Sequence, residues 1–388
     1  MKVLINTESL NPPLTGIGNY TFNLIEQLQQ CEIKKIQCFS GTTYRSPEDA
    51  LSACVSASEN YINNKPQPAI HHEPRVRNFL RGVPFAYRLR EYLRNRQLKR
   101  HEQELRSYVY HEPNFILKAH AGPCVATVHD LSFIHYPQFH PKARVDWMTS
   151  QLPATLKQAD YIITVSNLVR QELISDFGMP EDRVRAIYLG APEGYAPLDA
   201  QQTASVMQRH GLRHGEYVLF VGSLEPRKGI DLLLEAWSRL PEALYKAFPL
   251  VLAGAPGWNN EAIKQRIATL SATHGLRHLS FVPAQELPLL YAGAATFAYP
   301  SHYEGFSLPV LEAMQSGVPV ICTQGTSMTE FAGDSVVGVE KNNIEHLRDE
   351  LQKLLESATL RAEFAQRGLA KAQEFSWRRC AQETLEVY

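Results

Sequence analysis

The chain has 388 residues, of which 20% are charged and 44% hydrophobic, and its formal net charge is -1. That length exceeds one ordinary core and predicts two or three domains, while the composition excludes a disordered chain. The near-neutral balance gives no global reason to expect nucleic acid, so any basic partner site has to be local.

From the N-terminus, "KVLI" (2–5) reads as a buried strand. Its apolar run, Val3 to Ile5, is far shorter than the hydrophobic region of a signal peptide. No stretch approaches the roughly 18 apolar residues of a membrane-spanning helix. Six cysteines, at 31, 38, 54, 124, 322 and 380, form no CxxC pair. Their spacing argues against a disulfide framework and a zinc ribbon and suits a reducing cytosol, so the expected location is cytoplasmic. After the strand, "NPPLTGIGNYTFNLI" places Gly16 and Gly18 in a tight loop ahead of the amphipathic "YTFNLIEQLQQ". This G-x-G lacks the rest of the dinucleotide fingerprint and does not specify NAD, although a glycine loop can approach a phosphate closely.

Arg75 to Arg100 holds nine basic residues and a single acid, Glu91. Phe85, Leu89, Tyr92 and Leu93 fall on one helical face, with Arg88, Arg90 and Arg94 among the polar positions. A solvated surface helix over a thin apolar stripe accounts for this pattern. A peripheral contact with an anionic membrane surface, or a grip on an acidic acceptor, accounts for it too. No nucleic-acid fold signature accompanies the charge.

"CVATVH" (124–129) is the next strand, and it sets His129 and Asp130 at its carboxyl end. His135 and His140 follow without metal-ligand spacing, so no metal is expected. "YIITVS" (161–166) leads into the helix "NLVRQELISDFG", and the Pro- and Gly-containing stretch 189–216 is the linker candidate. Beyond it, "YVLFVG" (217–222), "PLVLAG" (249–254), "LSFVP" (279–283), "TFAYPS" (296–301) and "PVICT" (319–323) alternate with helical patterns. Such alternation predicts an α/β chain of two Rossmann-like domains, joined near residue 195.

Two stretches of the second half carry candidate chemistry. "FVGSLEPRKGIDLLLEAW" runs from a strand through Gly222 to Arg227 and Lys228 and on to a helix. Two cations outside a strand's carboxyl end can neutralise a diphosphate. "SHYEGFSLPVLEAMQSG" places Glu304 in a loop and Glu312 in a helix for which Ser307 is the predicted N-cap. Gly305 allows close backbone approach, and the unpaired N–H groups at Phe306, Ser307 and Leu308 make a phosphate seat. Glu312 lies roughly 7–8 Å further along the axis, a suitable reach for a ribose. Glu304 would face the transferred end of the same ligand.

Together "EGFSLPVLE" (an E-x7-E element), "GSLEPRKG", "TGIG" and "VHD" resemble glycosyltransferase family 4, retaining enzymes that use nucleotide sugars and have the GT-B fold. The resemblance covers nearly the whole chain, including "ADYIITVS" and "FSWRRCAQETLEVY". It implies parallel sheets facing across a cleft: an acceptor-side domain at 1–195, a donor domain at 196–372, and a helix at 373–388 returning to the first domain. It further implies Gly16 near the donor phosphates, His129 on the donor sugar, Arg227 and Lys228 on the diphosphate, Glu304 facing the sugar and Glu312 holding the ribose. Ser307 stands where many members have glycine.

Within the family the chain looks most like bacterial mannosyl- and rhamnosyltransferases of O-antigen or exopolysaccharide assembly. The implied reaction moves a hexose from a GDP-sugar to a saccharide or lipid-linked acceptor, without a metal, at the inner face of the plasma membrane. A UDP-sugar donor is the alternative within the fold, and a non-catalytic nucleotide-sugar binding protein is another. A glycoside hydrolase would want its carboxyls about 5–5.5 Å apart and would leave Arg227 and Lys228 without a role.

Overall fold

The structure, a computed structural model, describes residues 1–12, 14–63, 92, 94–255, 257, 260–280 and 282–388. The chain divides into two compact units. Unit 1 comprises Met1–Pro137, Pro141–Leu189 and Trp377–Tyr388; unit 2 comprises Gln138–His140 and Gly190–Ser376.

Among the described residues, unit 1 is built on a seven-stranded sheet: β1 (Lys2–Asn6), β2 (Lys35–Phe39), β3 (Tyr44–Arg45), β4 (Val109–Glu112), β5 (Cys124–Val128), β6 (Tyr161–Thr164) and β7 (Val184–Ala186). Its order is β3-β2-β1-β4-β5-β6-β7, parallel throughout except for the β2–β3 pair. Val3, Leu4 and Ile5 are fully buried, as befits a parallel strand covered on both faces. The helix Gly16–Leu28 covers this sheet, with the Thr15 side chain accepting from the Gly18 amide at its start. Trp377–Leu385 packs on that helix within unit 1 and buries Trp377, Cys380 and Ala381. Helix Asn167–Phe177 is capped by Ser166 and stopped by Gly178 in the left-handed region, a Ser-start and Gly-stop arrangement.

Unit 2 carries a six-stranded, all-parallel sheet: β8 (Val218–Val221), β9 (Leu250–Ala253), β10 (Arg277–Leu279), β11 (Thr296–Tyr299), β12 (Val320–Thr323) and β13 (Val337–Val339), ordered β10-β9-β8-β11-β12-β13. The chain runs outward from β8 to β10 and then returns to pair β11 beside β8. That reversal is a topological switch point, where open α/β sheets bind ligands. In both units the core is the double-sided apolar packing of short strands such as "VLF" and "LVL" under amphipathic helices.

Two expectations change, and a third falls mostly outside the described residues. The strand expected at 279–283 is Arg277–Leu279 instead, because its register follows β9, with Arg277 opposite Val251. The linker candidate contains the helix Ala200–His210, closed by a capping box of Asp199 and Gln202 and burying Thr203, Val206 and Met207. Of the basic segment, residues 75–91 and 93, including Phe85, Arg88, Leu89, Arg90 and Leu93, lie outside the described residues. Arg94 is described, and it is 8% exposed and ion-paired with Glu8, so it serves the interior of unit 1. Among the described residues no helix is long and apolar enough to cross a membrane.

Candidate active site

Two loops leave the switch point of unit 2 side by side, one after β8 and one after β11. The first passes Gly222 and makes the short turn Pro226–Lys228, ended by Gly229 at φ +66°. A Cβ at Gly229 would lie 2.0 Å from the Pro300 carbonyl oxygen, so only glycine lets the Arg227–Lys228 turn seat on the second loop. The His302 amide and the Ser301 hydroxyl both donate to the Arg227 carbonyl, at 2.9 and 3.1 Å, and join the loops.

The cations of the first loop converge on Glu304 of the second. Lys228 Nζ is 2.7 Å from Glu304 Oε1, and Arg227 Nη1 is 3.2 Å from Oε2. Ser301 Oγ donates to Oε1 at 2.8 Å. Arg227 also donates to the Tyr303 carbonyl at 2.5 Å and pairs with Glu225 at 3.2 Å. Burial opposes ionisation of Glu304, but Arg227 and Lys228 outweigh it and hold the carboxyl below its usual range. Burial pulls Lys228 down from its ordinary value, and Glu304 offsets part of that. The cluster is thus two cations balanced by two carboxylates. Arg227 and Lys228 were expected on a diphosphate with Glu304 facing the sugar; the structure brings all three side chains into contact. Charges this buried require partners.

The second loop continues through Gly305 and Phe306, both buried. The Phe306 ring stacks on Phe331 at 4.5 Å. Ser327 Oγ donates to the carbonyls of Glu304 and Phe306 at 2.6 and 3.3 Å, which fixes the loop's backbone. Ser307 does not cap the helix Leu308–Gln315 as expected. Its backbone is left-handed, φ +98°, and its side chain makes no capping bond. A glycine would adopt this geometry without strain. Leu308 opens the helix, and Pro309 sits in its first turn, where a missing N–H costs nothing. Glu312, one and a half turns in, is pushed up to about 7 by burial, with the Tyr291 phenol opposing the shift.

Unit 1 places His129 directly after β5, 8% exposed. Its Nε2 lies 2.8 Å from the Pro113 carbonyl, which can only accept, so Nε2 carries the proton. Burial pulls the imidazole down to about 4, against the Pro113 hydrogen bond and Asp130. The ring is therefore neutral at pH 7 and keeps Nδ1 as an acceptor, suited to a hydroxyl. Asp130, expected as a site residue, spends Oδ1 on the Ser132 amide and hydroxyl at 2.9 and 2.6 Å, starting the short helix Ser132–His135. Gly16 and Gly18 are in the first helical turn rather than in a loop before it. A Cβ on Gly18 would meet the Ser9 carbonyl at 2.9 Å. His135 lies 3.6 and 3.3 Å from Glu172 and Asp176. Among the described residues no three His, Cys, Asp or Glu side chains are grouped to hold a metal ion.

Sequence reasoning missed Glu225, Ser301 and Ser327. Ser301 had a usable signal, a polar residue at the carboxyl end of β11 three positions before Glu304. Ser327 had none, since it reaches the loop from a helix beyond the next strand.

The chain matches two family models: Glycosyltransferase Family 4 over residues 14–193 and Glycosyl transferases group 1 over residues 205–371. It is 35% identical to the O-antigen chain mannosyltransferase B of Escherichia coli, covering 100% of this chain and 99% of that one. In fold it is similar to Anabaena HepE, solved with UDP and glucose (TM-score 0.71, 17% identity, 100% and 99% coverage). It is equally similar to WaaG, a glycosyltransferase of lipopolysaccharide biosynthesis (TM-score 0.71, 16% identity, 100% and 99% coverage).

Proposed function

This chain belongs to the family 4 glycosyltransferases and has their GT-B fold, and on that premise we propose that it transfers mannose from a GDP-sugar to a growing surface polysaccharide with retained anomeric configuration. The single observation that carries the reading is the meeting of Arg227, Lys228 and Glu304 at the start of the helix Leu308–Gln315. The full-length similarity to an O-antigen mannosyltransferase supports the sugar and the acceptor class.

Arg227 and Lys228, with the first amides of the helix, neutralise the diphosphate as negative charge develops on it, the largest single term in reactions of this kind. Fixed cations take this part, so no metal is assigned to it. Glu312 accepts from the ribose hydroxyls, Glu304 contacts the transferred hexose, and His129 contributes Nδ1 to a sugar hydroxyl. The glycosidic C–O bond to phosphate breaks, and the acceptor oxygen bonds the anomeric carbon on the same face. The acceptor proton passes to the departing phosphate oxygen. A place on an anionic membrane, as a peripheral protein of the cytoplasmic face, belongs to the same proposal.

The test is a panel of GDP-, UDP- and ADP-sugars, read first by thermal shift and then by transfer to a mannose-terminated oligosaccharide. A selective shift with GDP-mannose, and an α-linked product by NMR, is the expected result. Selective response to a UDP-sugar would overturn the base assignment, an inverted product the stereochemistry, and no response to any donor the whole reading.

A further inference from the structure

In unit 1, a chain of side chains, buried except at its half-buried Tyr388 end, runs from Tyr388 to the ring of His129. Tyr388 hydroxyl and His111 Nδ1 are 2.5 Å apart, and His111 Nε2 is 2.8 Å from Thr127 Oγ1. Thr127 Oγ1 is 3.0 Å from the Tyr20 hydroxyl. The Tyr20 ring meets His129 edge to face, with centroids 4.9 Å apart at 83°. His111 and Thr127 are 0% exposed and Tyr20 1%. Each hydroxyl and ring nitrogen has a neighbour of the opposite role, so the chain is satisfied in either proton direction. Burial holds His111 neutral, which keeps one nitrogen a donor and the other an acceptor.

We propose that Tyr20, Thr127, His111 and Tyr388 are positioning residues that set the orientation of the His129 imidazole for sugar transfer. The Pro113 carbonyl fixes one nitrogen of His129, and the Phe115 ring meets the imidazole at 5.8 Å and 61°. Tyr20 makes the nearer aromatic contact, 4.9 Å at 83°, and its hydroxyl is anchored on Thr127, so it restrains the rotation that the Pro113 bond alone would allow. The anchor leads through His111 to Tyr388, so the segment after Ser376 serves the site as well as the fold. The inference rests on the reading of His129 as a group that touches the transferred sugar.

The experiment is a double-mutant cycle on the full chain, with kcat and donor KM measured on protein shown folded by circular dichroism. Tyr388→Phe removes one hydroxyl, and Tyr20→Leu removes the ring edge. The expected losses in kcat are about fivefold and about tenfold at unchanged donor KM, with the double variant no worse than about tenfold, because coupled residues are not additive. Tyr20→Phe, which keeps the ring but loses the hydroxyl anchored on Thr127, should lose kcat about as Tyr388→Phe does, and less than Tyr20→Leu. Unchanged kcat in Tyr388→Phe overturns the proposal, and so does a double variant at the product of the single losses. Full activity in His129→Ala would instead sink the reading on which it rests. A Tyr388→Phe protein that fails to fold is replaced in the cycle by Thr127→Ser, which keeps the hydroxyl but frees it to rotate and should also lower kcat.

Discussion

Glu304→Gln separates charge from hydrogen bonding in the donor cluster. The amide can still accept from Ser301 and Lys228, but the two cations lose the Glu304 charge, while Glu225 stays paired with Arg227. Calorimetry should find nucleoside diphosphate bound at least as tightly as by the native protein, while transfer falls about 100-fold. Weaker binding would mean that Glu304 aids the diphosphate rather than the sugar. Lys228→Ala should act oppositely, weakening nucleoside diphosphate by about 1.5–3 kcal/mol, the scale of a charged hydrogen bond. Ser307→Gly should raise the melting temperature, since relief of about 1–3 kcal/mol of left-handed strain exceeds the added chain entropy of about 0.5–1 kcal/mol. A lower melting temperature would refute the strain. Arg227, Lys228 and Glu304 were legible as candidates because each falls in a loop between a strand end and a helix start whose punctuation is written in Gly and Pro, and Glu312 because its spacing is counted from that helix start. The left-handed turn at Ser307 was not, because a serine ahead of an apolar helix has the letters of an ordinary cap. Nor did the residues disclose that the cations and Glu304 touch, since pairing depends on the Gly229–Pro300 approach between distant loops.

The strand β4, "VYHE", shows what periodicity cannot reach. All four residues are buried, yet three of them, Tyr110, His111 and Glu112, are ionisable, so no apolar run announces the strand. It is held by polar partners: Glu112 Oε2 accepts from Asn6 at 2.8 Å and from Tyr110 at 2.9 Å, with Lys118 at 4.0 Å. Burial pushes Glu112 up to about 7, and Lys118 only partly opposes it. The folded protein therefore holds a proton that the unfolded chain loses near 4.5. Stability contributed by that proton falls as pH rises from 4.5 through 7, by a total on the order of 3 kcal/mol. In Glu112→Gln this slope should vanish, so urea midpoints of variant and native protein should diverge in the variant's favour between pH 5 and pH 8. Parallel midpoints would exclude a buried neutral carboxyl. His111 works in the other direction. Held neutral down to about 3, it takes stability away as pH falls below 6.5. Strands β2, β7 and β13 were missed for a simpler reason: they are short or half-exposed, and pairing with a central strand makes them strands.

Both units were legible as α/β halves, because buried parallel strands are short unbroken apolar runs and their crossover helices are amphipathic. The switch points were not, since strand order depends on which crossover returns to the centre. Across the whole chain the division is uneven: the segment Trp377–Tyr388 belongs to unit 1 although all of Gly190–Ser376 precedes it. Trp377→Ala should cost about 3–5 kcal/mol, as for other buried tryptophans, and lower the melting of unit 1 while leaving that of unit 2 in place. Loss from both transitions together would show a single cooperative block. The same discontinuity bears on how the polypeptide is made. A ribosome releases the first lobe's sheet early but withholds its closing helix until the whole stretch Gly190–Ser376 has been read. The second lobe can thus mature during synthesis, while the first waits with Tyr20 and its neighbours uncovered. Birth order and folding order are reversed.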